Sequence, residues 1–134
     1  MIDDEPAGAM ERSLPSSAYL TDDAHRIDID RIFAREWVCA GREEDVAQPG
    51  DHILVDLTGQ SIIVVRTKAG DIRAHYNVCR HRGARLCDPE TDARWDVALN
   101  GGVIGQVIRC PYHGWSYGLD GALLAAPNLG AIAD

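Results

Sequence analysis

Basic residues are scarce in this sequence. Lys and Arg number 13 against 21 Asp and Glu, which leaves a formal net charge of −8 and a pI near 4.9. Nucleic acid and anionic membrane surfaces are therefore poor partners. A basic leader is lacking as well. The chain opens Met1-Ile2-Asp3-Asp4-Glu5 with no apolar segment behind it, so no signal peptide is read there. Apolar runs such as Ile62–Val65 fall far short of the roughly 20 residues that span a bilayer. These absences predict a cytoplasmic location with no membrane partner. In that reducing setting Cys39, Cys79, Cys87 and Cys110 are expected as thiols or metal ligands and not as disulfides. Methionine is confined to Met1 and Met10, which leaves a copper site without its weak axial ligand. No histidine follows His113.

What is present fits one small domain. The apolar share is 46% and the charged share 25%, ordinary values for a globular chain of 134 residues. Residues 1–18 are acidic, carry Pro6, Gly8 and Pro15, and read as a flexible arm. A helix is predicted over 28–38, capped by Asp28 or Asp30. Its apolar face is Ile29, Ile32, Phe33 and Trp37, and it ends before Gly41. Beyond Pro49-Gly50 the pattern turns to β. Strands are predicted at His52–Leu57, Gln60–Thr67 and Ile72–Val78, separated by turns at Thr58-Gly59 and residues 68–71. Val107-Ile108, residues 115–117 and Ala122–Leu124 continue the series, the last two joined by a turn at 118–121. The fold class is mostly β, a small antiparallel domain.

Two motifs stand out: Cys79-Arg80-His81 and Cys110-Pro111-Tyr112-His113. Each puts one thiolate and one imidazole on a turn after a strand. Gly83 and Gly114 let backbone approach closely, and Pro111 stiffens the second loop. A structural zinc module would use all four donors around one ion, although its usual spacing pairs like with like. A Rieske-type [2Fe–2S] centre has two cysteines on one iron and two histidines on the other. Two mixed loops, each giving one ligand to each iron, produce this spacing. Neutral imidazoles reduce the negative charge at their iron. The potential rises to roughly −150 to +300 mV, from about −400 mV for all-cysteine plant-type clusters.

The strings Asn77-Val78-Cys79-Arg80-His81-Arg82-Gly83-Ala84 and Cys110-Pro111-Tyr112-His113-Gly114-Trp115-Ser116-Tyr117 resemble the Rieske domain of the large subunit of ring-hydroxylating and related non-haem iron oxygenases. Ala34-Arg35-Glu36-Trp37-Val38-Cys39-Ala40-Gly41 resembles the helix and strand that precede it there. The resemblance implies a Rieske domain over 19–128, with an N-terminal helix and a cluster-binding subdomain of two loops, 79–87 and 110–117. It implies a [2Fe–2S] cluster on Cys79, His81, Cys110 and His113, with His113 as the exit ligand. Single electrons would pass from a flavin- or ferredoxin-type reductase to a mononuclear Fe(II) in a separate catalytic domain, and the full-length protein would be a trimer. Residues 129–134 would begin that domain. His25, His52 and His75 show no facial-triad spacing, so no catalytic residue is expected in this chain. A free-standing Rieske ferredoxin is the alternative carrier.

Further expectations concern single residues. The stretch from Arg82 to Arg109 is longer than the family's spacing, with the extra length in 90–106; Trp95 there is read as packing or as a cap on the cluster. Cys39 is expected in the core and Cys87 as a structural thiol. Tyr112, Trp115 and Tyr117 are expected to pack on the cluster loops. Arg80, Arg82 and Arg85 form a positive patch whose role, solvated charge, docking or charge compensation, stays open. Tyr112 and Trp115 stand where the respiratory type of Rieske protein has a cysteine and a serine. The missing hydrogen bonds predict a potential toward the low end of the range.

Overall fold

The computed structural model describes residues 12–88, 102–127 and 129. The predicted region around Trp95 and most of the arm lie outside the described residues, as do 130–134. The chain divides into two compact units, Met1–Val38 and Cys39–Asp134.

In the first unit, helices α1 (Ser17–Leu20) and α2 (Asp22–Asp28) run into a π-helical turn, Ile29–Phe33. The helix predicted at 28–38 is thus displaced toward the N-terminus. Its cap is Thr21, whose hydroxyl accepts from the Ala24 N–H at 3.2 Å, with Asp22 and Asp23 complementing the first turn. The i+5 bonding of the π turn breaks the i, i+4 stripe on which the prediction rested. Ala34 N–H reaches the Ile29 carbonyl and the helix ends, leaving Trp37 fully exposed beyond it. No residue of these helices is buried.

The second unit holds two antiparallel sheets. The first is β1 (His52–Leu57), β2 (Gln60–Arg66) and β3 (Ile72–Tyr76), in that order. β1 matches its predicted span residue for residue. The β1–β2 turn has positive φ at both Thr58 (53°) and Gly59 (82°), the conformation that matches the twist of a two-residue hairpin. Asp56 supports it by accepting from the Gly59 N–H at 2.9 Å. β2 is the central strand, and Ile63 and Val65 on it are wholly buried. The second sheet is β4 (Gly102–Ile104), β5 (Val107–Arg109), β6 (Ser116–Gly118) and β7 (Leu123–Ala125). β4 was read as part of an insertion. It pairs with β5 instead, Gly102 opposite Arg109.

One core joins the sheets: Ile63 and Val65 pack with Ile108, Trp115, Tyr117 and Leu119, and with Cys79, Cys87 and Cys110. His75 on β3 donates from Nε2 to the Leu119 carbonyl at 2.9 Å, which braces the first sheet against the β6–β7 turn. Among the described residues no helix is long and apolar enough to cross a membrane.

Candidate metal centre

Each sheet delivers one loop to the site. The first follows β3 and the second is the β5–β6 hairpin loop. Although their motifs differ, the loops close alike. Cys79 N–H donates to the Ala84 carbonyl (2.7 Å) and Gly83 N–H to the Cys79 carbonyl (2.9 Å). In the second loop Cys110 N–H donates to Trp115 (2.8 Å) and Gly114 N–H to Cys110 (3.1 Å). The fifth residue of each is a glycine in the left-handed region, Gly83 at φ 71° and Gly114 at φ 72°. Side chains rarely adopt that conformation, which explains the glycine at both positions. Each closure also turns two N–H groups onto its own sulfur: those of His81 and Arg82 onto Cys79, those of Tyr112 and His113 onto Cys110.

Asn77 anchors the first loop. It is buried, and its Oδ1 accepts from the N–H groups of Leu86 (3.0 Å) and Cys87 (2.8 Å). Its Nδ2 donates to the Cys87 carbonyl (2.6 Å) and the Ser61 hydroxyl (3.1 Å). One side chain thus replaces a strand partner for the segment after the loop.

The four donor residues come together as two pairs. Cys79 and Cys110 are buried, with their thiols within hydrogen-bonding reach of each other. The rings of His81 and His113 lie 4.9 Å apart, edge to face. His81 is half-buried and His113 exposed. Trp115 stacks on His81 at 4.7 Å with the planes 4° apart, and Tyr112 leans on His113 at 3.8 Å. Both aromatics pack on the loops as expected. Cys87 is buried nearby in the core. Cys39 is exposed, against expectation, because the helix that was to carry it into the core ends at Phe33.

Tyr117 does more than pack. Its hydroxyl stands 3.2 Å from Cys79 Sγ and accepts from the Arg80 N–H at 3.2 Å. Burial first, then the Cys79 contact, push this phenol up to about 12, so at neutral pH it keeps its proton and can donate to a Cys79 thiolate. Burial also raises the Cys79 thiol. The Tyr117 hydroxyl and the N–H groups of His81 and Arg82 outweigh that, and Cys79 lies below its ordinary value. At Cys110 burial prevails over the N–H groups of Tyr112 and His113, and the thiol lies above it. The thiols titrate as a pair, Cys79 first. Burial, His113 and Arg82 hold the His81 imidazole below its usual value, in the neutral form that ligates metals.

The family model for the Rieske [2Fe–2S] domain matches residues 36–134. The chain belongs to this family. Its relatives include the carnitine monooxygenase oxygenase subunit of Acinetobacter baumannii, 34% identical over 116 residues, which are 87% of this chain and 28% of that protein. The glycine betaine monooxygenase oxygenase subunit of Chromohalobacter salexigens is 39% identical over 116 residues, 87% of this chain and 24% of that one. The crystal structure of the quaternary ammonium Rieske monooxygenase CntA superposes with a TM-score of 0.73 at 34% identity, covering 87% of this chain and 29% of that one. This Rieske domain therefore spans less than a third of the length of these relatives.

The donor set fits the family's cluster. Two soft sulfurs, each faced by backbone N–H groups, are buried side by side, and two imidazole rings pair nearer solvent. Among the described residues no group of three or more His, Cys, Asp or Glu is arranged around a single ion.

Proposed function

We propose that Cys79 and Cys110 hold one iron of the [2Fe–2S] cluster and His81 and His113 the other. The chain then forms the electron-carrying part of an oxygenase subunit, with residues 129–134 leading toward a catalytic domain. The separation of the donors into a buried sulfur pair and an outer nitrogen pair carries this reading. The cluster supplies a one-electron redox couple. The chain's own residues hold and tune it. The N–H groups of both loops and the Tyr117 hydroxyl stabilise negative charge on the sulfurs, and Trp115 fixes the plane of His81. His113, exposed at the rim, offers the shortest way to solvent or to an acceptor. Kinship to monooxygenase oxygenase subunits supports a mononuclear iron as that acceptor and a flavin- or ferredoxin-type reductase as donor. The family resemblance supports a trimer for the full-length protein.

Anaerobically purified chain should contain iron and acid-labile sulfide in equal amounts and take up one electron in a coulometric titration. Zinc without labile sulfide would overturn the assignment in favour of a structural module.

Tyr117 also tempers the low potential expected from Tyr112 and Trp115, since one sulfur does receive a hydroxyl. A hydrogen bond worth about 1 kcal/mol more in the reduced state corresponds to about 40 mV for one electron. Redox titration of Tyr117→Phe should show a fall of that order. An unchanged potential would mean that the hydroxyl does not act on the cluster.

A further inference from the structure

A cavity of about 320 Å³ opens beside the first loop, with Ala74, Tyr76, Val78, Arg80 and Tyr117 among the residues that line it. Neither His81 nor His113 does. Tyr76 and Val78 present apolar surface, 65% and 41% exposed. Tyr117 on its wall is one hydrogen bond from Cys79 Sγ. Around the same loop Arg80, Arg82 and Arg85 are exposed, and no ion pair holds them among the described residues. Charge compensation does not account for them. Two ferric ions, two sulfides and two thiolates cancel when the imidazoles are neutral, and one added electron leaves a single negative charge. Three guanidinium groups exceed that, on a chain whose net charge is −8.

We propose that this groove, with Arg80 on its wall and Arg82 and Arg85 on the same loop, seats an acidic electron-donor protein. Carboxylates of the donor meet Arg80, Arg82 and Arg85, and an apolar side chain enters between Tyr76 and Val78. The donor's reduced centre gives up one electron and the cluster gains it, with no bond made or broken. Entry on the Tyr117–Cys79 side leaves the exposed His113 free to face the acceptor. The inference rests on the cluster assignment above.

The test uses the cluster-loaded full-length protein and an acidic plant-type [2Fe–2S] ferredoxin as probe, by stopped-flow reduction and by titration calorimetry. Despite the chain's negative charge, the rate and the affinity should fall as salt rises from about 20 to 300 mM, because attraction at a local patch is screened over the Debye length. Arg80→Glu should slow reduction at low salt by about tenfold, as loss of electrostatic steering does. Ala74→Trp, which fills the groove on β3, should weaken ferredoxin binding while dithionite still reduces the cluster at the wild-type rate. A rate that rises with salt, or variants that match wild type with ferredoxin, would overturn the docking site. Absence of the cluster from the wild-type protein would be a failure of the assignment itself and shows before any donor is added.

Discussion

His113→Cys is expected to keep a [2Fe–2S] cluster and to lower its potential by on the order of 100 mV or more, because an all-cysteine cluster lies at least about 250 mV below the Rieske range and one of two imidazoles is replaced. The physical cause is charge. A thiolate brings a negative charge to the iron that the neutral ring left more electron-poor, and reduction becomes harder. The position tolerates the change because His113 is exposed and its loop is closed by the Gly114 and Cys110 backbone, a closure that does not need the ring's contacts with Tyr112 and His81. Redox titration followed by visible and EPR spectra checks this. An unchanged potential with an intact cluster would remove His113 from the ligand set. The same replacement at His81 should disturb more, since the ring of His81 stacks on Trp115.

Asn77→Leu should cost more in stability than any surface change in the domain. Leucine keeps the branched outline and removes all four hydrogen bonds, so the N–H groups of Leu86 and Cys87 and the Cys87 carbonyl lose that partner. At about 1–2 kcal/mol for each of the three groups that lose this partner, the lower part of the usual range, a loss of about 3–6 kcal/mol follows. That is a large part of the 5–15 kcal/mol by which a domain of this kind is usually stable. The apparent midpoint of thermal unfolding should drop by roughly 10–20 °C, and the variant should retain less iron because the first loop loses its anchor. A midpoint within about 3 °C of wild type would show that water replaces the amide at little cost.

The strands and the four candidate ligands are legible in the sequence for local reasons. β-Branched runs between turn signals mark β1 and β2, and a Cys-His spacing inside a few residues can be seen without knowing the fold. What escaped the sequence depends on contacts between distant parts. Tyr117 reaches Cys79 across 38 positions, from β6 in one sheet to a loop hung from the other. The motif places a tyrosine seven residues after Cys110 but does not tell which sulfur its hydroxyl meets. Asn77 looked like a strand-end residue, and its four bonds arise only when the segment after the loop folds back beside it. The helix was misplaced because apolar spacing at Ile29, Ile32 and Phe33 suggested a buried stripe. Those side chains are half-exposed in the chain as it stands, and Thr21 sets the start of the helix instead. Cys39 failed for the same reason. The run of arginines is visible in the sequence, while the place of Arg80 on the wall of a groove that touches Tyr117 is not.

Pulsed EPR of the reduced chain, grown with ¹⁵N-labelled histidine, tests the ligand set most directly. Two distinct histidine nitrogens should couple strongly to the unpaired spin, and His81→Cys and His113→Cys should each remove one of them. A spectrum without strongly coupled nitrogen, or one that both variants leave intact, would contradict the assignment.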